Sequence, residues 1–126
     1  GKRSFVEEVA HLLNCEARFS EAVYLALIFK EPSITKVHPE RQWGKLINYE
    51  NFSPIELLNY FSFRRSMLHA VLQPLSEKDW LRIVREIHKQ RQETVYLQVR
   101  KLLLHELHHL DLIEARVDKL VRKSKY

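Results

Sequence analysis

From Phe5 to Pro32 nothing interrupts a helical repeat. Phe5, Val9, Leu12, Cys15, Phe19, Ala22, Val23 and Ala26 recur at three- and four-residue spacing, the period of one buried face of an α-helix. Ser4 followed by Glu7 supplies a start signal. The expectation is a first helix over about residues 5–30. The chain has only 2 glycines and 4 prolines, too few for a β-rich protein with many tight turns. An all-α fold is therefore expected. At 126 residues the chain suits a single domain with one core.

Two further helices follow from local signals. Ser53-Pro54-Ile55-Glu56 places a capping serine, a proline at the first helical position and a reciprocating glutamate in order. Ile55, Leu58, Tyr60, Phe61, Met67, Leu68, Val71 and Leu72 continue it to about residue 73. Arg64 and Arg65 fall mid-helix, where they could meet an anionic substrate or pair with acidic neighbours. Pro74 ends this helix, and Ser76 with Asp79 caps a short one read to include Trp80, Ile83 and Val84. The polar run 87–93 reads as a loop or frayed end. A last helix is expected over about 94–122, before a solvated, disordered basic tail at 122–126. Residues 31–53 carry Pro32, Pro39, Gly44, Asn48 and Asn51 and read as a long connection with one helical turn near Arg41 to Leu46. In it Trp43 and Tyr49 are expected to pack over a bundle end or line a pocket, and His38 to be a solvated loop residue.

The chemistry concentrates in Leu104-His105-Glu106-Leu107-His108-His109-Leu110. At about 100° per residue, positions i and i+4 share a helix face. His105 and His109 therefore point the same way, beside an apolar side formed by Leu102, Ile113, Val117 and Leu120, while His108 lies on the outer side. Burying imidazoles is costly unless their nitrogens find partners. A metal ion is one such partner, and two histidines four apart on a helix commonly supply two of its ligands. Surface histidines on a helix edge are the alternative. His11 lies beside the first helix's apolar stripe, where a lone histidine is usually a hydrogen-bonded border residue, and Cys15 reads as a small buried apolar residue.

Composition excludes several classes. With 45% hydrophobic and 29% charged residues the chain is ordinary globular material. Its net charge of +5 is spread among 16 acidic residues, and no basic stripe interleaved with aromatics marks a nucleic-acid surface. One cysteine excludes an internal disulfide and suits a reducing cytoplasm. No apolar run approaches the roughly 20 residues of a membrane span, and no signal-peptide pattern is present. No Gly-rich phosphate loop or local nucleophile signature occurs, so no catalytic residue is assigned.

Four segments in order resemble the DinB-like superfamily, in particular its YfiT-type members, described as metal-dependent hydrolases and thiol transferases. They are His11-Leu12-Leu13-Asn14-Cys15-Glu16, Ser53-Pro54-Ile55-Glu56-Leu57, Leu75-Ser76-Glu77-Lys78-Asp79-Trp80, and the His105–His109 segment. The resemblance implies an antiparallel helical bundle binding one divalent ion, usually nickel or zinc, through His11, His105 and His109. It also implies a small-molecule substrate that can contain a thiol. There are departures. Members usually carry another long helix before the one bearing the first histidine; here the short helix near Trp80, a second chain, or a segment beyond this one would have to cover that face. Cys15 replaces a residue that is commonly small and polar, making a sulfur ligand conceivable but not expected. The glycine-containing turn before the last helix has no counterpart in His88 to Glu93. A homodimer is expected from the apolar surface that a missing helix would leave. A non-catalytic helical interaction module is the alternative function.

Overall fold

The computed structural model describes residues 4–34, 42–87 and 90–124. Three long helices dominate: α1 (Phe5–Ile28), α3 (Pro54–Leu72) and α5 (Val95–Ser124). Between them lie the short helices α2 (Trp43–Ile47) and α4 (Glu77–Trp80), a 3-10 turn at Tyr49–Asn51, and strands β1 (Ser33–Ile34), β2 (Ile83–Glu86) and β3 (Arg91–Thr94).

The start signals act as their residue types require. Ser4 accepts from the Glu7 N–H, and Ser53 with Glu56 and Ser76 with Asp79 form complete capping boxes. Helix α1 is central. Its Ala22, Val23 and Ala26 pack with Leu68 of α3, Val84 of β2, and Val95, Val99 and Leu102 of α5. Nearer its start, Val9 and Leu13 pack with Tyr49 and Leu57. These pairings make α5 antiparallel to α1, because high numbers on one meet low numbers on the other. They make α3 parallel to α1, because the connection between the two helices runs back along the bundle. Side chains on α3 therefore meet α1 in register: Arg64 bonds Glu16 and Ser20.

The sheet corrects the sequence reading. Ile83 and Val84 belong to β2 rather than to the short helix, and β3 takes residues 91–93, read as a loop, together with Thr94, read as the start of the last helix. β2 pairs in parallel with β1, Ser33 opposite Arg85, and antiparallel with β3, Ile83 opposite Thr94. The physical reason is that Val84 is fully buried beneath the core, where a β-branched residue suits a strand. The tail reading also changes. Residues 122–124 continue α5, since no breaker stops it and basic residues suit a helix C-terminus. Residues 125–126, His38 and His88 lie outside the described residues. The side chains of Ile113, Val117 and Leu120 do so too. No helix among the described residues is long and apolar enough to cross a membrane.

Candidate metal centre

The antiparallel pairing of α1 and α5 brings the first turns of α1 level with the middle of α5. His11 projects from the first and His105 and His109 from the second. The three rings form one cluster, with centroids 5.1, 4.6 and 4.4 Å apart. His105 Nε2 stands 3.2 Å from His11 Nε2 and 3.1 Å from His109 Nε2. His109 is buried, and His11 and His105 are half-buried. His108 is exposed and meets the cluster at the ring of His109, with centroids 5.5 Å apart. The structure thus brings together the three histidines picked from the sequence and leaves His108 outside.

Two further residues join them. The Glu8 carboxylate, also buried, lies 2.5 Å from His109 Nδ1. The Nδ1–H donates to that oxygen, so in the neutral ring Nε2 is the acceptor that meets His105. Such a carboxylate behind a histidine fixes its tautomer and orientation. Cys15, one turn along α1, has Sγ 3.7 Å from His11 Nε2. His11, Cys15 and His105 each offer a donor atom, and all three atoms lie within 4.8 Å of one another. Cys15 is therefore a donor at the cluster rather than the plain apolar residue its position suggested. Its place at i+4 from His11 was the available signal.

Beneath the cluster the charges are internally matched. Arg64 donates to Glu16, Ser20 and Tyr60, and Arg65 donates to Glu106. Burial pushes the Glu106 carboxyl up, against the lowering effect of Arg65. Both arginines are thus committed to neighbours on the helices, and neither stands apart for an anionic ligand.

The donor set suits a cation. Two imidazole nitrogens about 3 Å apart can share a proton only if one ring carries it, and His105 Nε2 faces two such neighbours. Nitrogens held about 2.0–2.1 Å from one ion, about 90–110° apart, stand roughly 2.8–3.4 Å from each other. A thiolate at about 2.3 Å and tetrahedral angle stands roughly 3.6 Å from such a nitrogen. The observed 3.1, 3.2 and 3.7 Å fit both ranges.

A helical bundle with a histidine cluster between its central and last helices is the class that fold and site define. The profile of the DinB superfamily matches residues 1–113, and the chain belongs to that superfamily. Among solved structures it is similar to YfiT from Bacillus subtilis, described as a probable metal-dependent hydrolase with an unusual four-helix bundle topology. The TM-score is 0.67 at 20% identity, over 97% of this chain and 65% of that one. This chain thus spans about two thirds of YfiT's length. No curated protein matches it in sequence.

Proposed function

We propose that the chain binds one divalent ion, nickel or zinc, through His11, His105 and His109, and that it acts as a metal-dependent hydrolase or S-transferase on a small molecule. The observation that carries this reading is the convergence of the His11 and His109 ring nitrogens on His105 Nε2 at 3.2 and 3.1 Å. Bound there, such an ion supplies Lewis acidity, lowering the pKa of water or polarising a substrate carbonyl or thiol. The chain's own contribution is placement. Helices α1 and α5 hold the rings, Glu8 orients His109, and the paired Arg65 and Glu106 brace the neighbouring turn of α5. Three imidazoles leave positions open for water or substrate.

The test is elemental analysis of protein purified without added metal, followed by assay of ester and thiol-adduct substrates with and without chelator. Bound metal together with chelator-sensitive turnover supports the enzyme. Bound metal without turnover on either class favours a second reading, a structural site in an interaction module. The position of Cys15 favours that reading, since a fourth donor resembles a closed structural set. The homodimer belongs to the proposal as well. Tyr96, Leu103, Leu107 and Leu110 line one side of α5 and are 43–57% exposed, an apolar stripe of the kind that marks an interface. Light scattering should give twice the 15.2 kDa of one chain, and a monomer at high concentration removes this part.

A further inference from the structure

Along the seam where α1 meets α5, donor groups follow one another in register. Glu8 holds His109, His11 meets His105, and Cys15 stands one turn beyond His11. Positions i and i+4 are neighbours on a helix surface, so the Cys15 side chain lies beside the His11 ring. The exposures agree with that placement. Val9, Leu12 and Leu13 of the same helix are sealed in the core, whereas Cys15 is half-buried. It is the chain's only cysteine.

Cys15 Sγ is 3.7 Å from His11 Nε2, which is itself 3.2 Å from His105 Nε2. The donor atoms of these three residues all fall within 4.8 Å of one another. The sulfur separation carries angular information. Take a metal–nitrogen bond of about 2.0–2.1 Å and a metal–sulfur bond of about 2.3 Å. The two ligand atoms then stand roughly 3.1 Å apart at a right angle and roughly 3.6 Å apart at the tetrahedral angle. The observed 3.7 Å lies beside the tetrahedral value and well away from the right-angled one. A tetrahedral set of nitrogen and sulfur donors is one that zinc favours.

We infer that Cys15 is a further ligand of the proposed ion, bound through its thiolate. Its thiol proton passes to solvent as the sulfur–metal bond forms. On α1 the sulfur follows His11 as Glu8 precedes it, so the Glu8–His109 pair steadies one side of the site and Cys15 closes the other. The sulfur also restricts the ion to the thiophilic class, because magnesium and calcium take oxygen ligands. Zinc can expand to five positions, and so still admits water or a substrate atom beside four protein donors. This role for Cys15 rests on the metal reading, which itself stands with or without the sulfur.

The experiment is titration of the metal-stripped full chain with cobalt(II), the spectroscopic stand-in for zinc. A phosphine reductant keeps the cysteine reduced and supplies no competing thiol. One equivalent should bind, giving visible d–d bands together with a near-ultraviolet thiolate-to-cobalt charge-transfer band. Cys15→Ser should keep the visible bands, lose the near-ultraviolet band, and bind zinc at least roughly tenfold more weakly in a chelator competition, since even residues behind the ligands matter that much. His105→Ala retains the cysteine but should lose the near-ultraviolet band, because the sulfur needs the cluster to hold the ion. Should Cys15→Ser fail to fold, the band in the unaltered protein and its loss in His105→Ala decide. Visible bands without the charge-transfer band overturn the inference and leave the three-histidine reading standing, with the thiol only hydrogen-bonded to His11. A charge-transfer band that persists in His105→Ala also overturns it, because the sulfur then takes cobalt outside the cluster. No cobalt binding at all removes both readings together.

Discussion

At the strand end of the bundle, Glu86 and Glu93 are buried amid their own counter-charges. Glu93 accepts from Gln98 and Lys101 and pairs with Arg91. Glu86 accepts from Arg18 and Gln98, with Arg91 3.7 Å away. At the histidine end the buried Glu8 carboxylate accepts from His109, and His105 Nε2 meets the Nε2 atoms of both His11 and His109. Both ends bury carboxylates, on β2 and β3 at one and on α1 at the other. One carries the charges that neutralise it. The other brings three imidazoles and a thiol together, donor types that also ligate metal ions. Polar burial as such is thus no sign of a site; what distinguishes the histidine end is the ligand type of the groups that converge there.

The largest effect should come from the cluster itself. His105 touches both other rings, so His105→Ala should remove essentially all bound metal, while the exposed His108→Ala keeps it, as measured by elemental analysis. The reverse pattern would show that the wrong pair on α5 had been chosen. Glu8→Gln sharpens the contrast. It keeps the side chain's size but replaces the carboxylate that accepts from His109, and metal affinity should fall by roughly 10–100-fold. An unchanged affinity in a chelator competition would mean that Glu8 merely fills space.

The strand end should answer differently. Glu93→Leu leaves Lys101 and Arg91 without a shared carboxylate and Gln98 without its closest acceptor. The expected loss of stability is about 1–3 kcal/mol, kept moderate because both cations are partly solvated. Metal content should stay as it was. Thermal unfolding measured beside elemental analysis checks both halves, and a loss of metal here would erase the distinction between the two ends.

The long helices and the facing pair His105 and His109 were legible because each rests on local pattern, whereas His11 read as a border residue until the family resemblance set it beside them. Helical periodicity placed α1 and α5, serine caps marked the starts of α3 and α4, and His105 and His109 are four residues apart on one face. The strands left no such trace. Each has at most four residues, and β3 is Arg91-Gln92-Glu93-Thr94, whose charges read as a solvated loop. They are ordered by pairs made elsewhere, such as Lys101 with Glu93 on the next helix. Glu8 was hidden for the same reason, since its partner His109 lies 101 residues away. Cys15 was visible but ambiguous, because its place in the apolar stripe said nothing about the histidine that α5 would bring to its side.

The smallest effect concerns two phenols, one at each end. Tyr24 packs against the cluster that contains Val84 and Val95, and Tyr49 against Val9 and Leu57 near the histidines. Burial pushes both hydroxyls above the usual value of 10.0; nearby Glu16 adds to the shift at Tyr24, and Tyr60 at Tyr49, while Arg64 opposes it at both. A phenol whose folded pKa is raised binds its proton more tightly in the folded chain than in the unfolded one. Its contribution to stability is therefore whole below about pH 10 and is lost as pH rises through the folded value. Ultraviolet titration of phenolate should show late-ionising tyrosines, and Tyr24→Phe and Tyr49→Phe should each remove one. Because neither hydroxyl belongs to the proposed ligand set, both substitutions should leave metal content intact. If Tyr49→Phe alone flattened the alkaline loss of stability, the histidine end would be the part of the bundle that opens first at high pH. If both variants did so equally, the two ends would unfold as one unit.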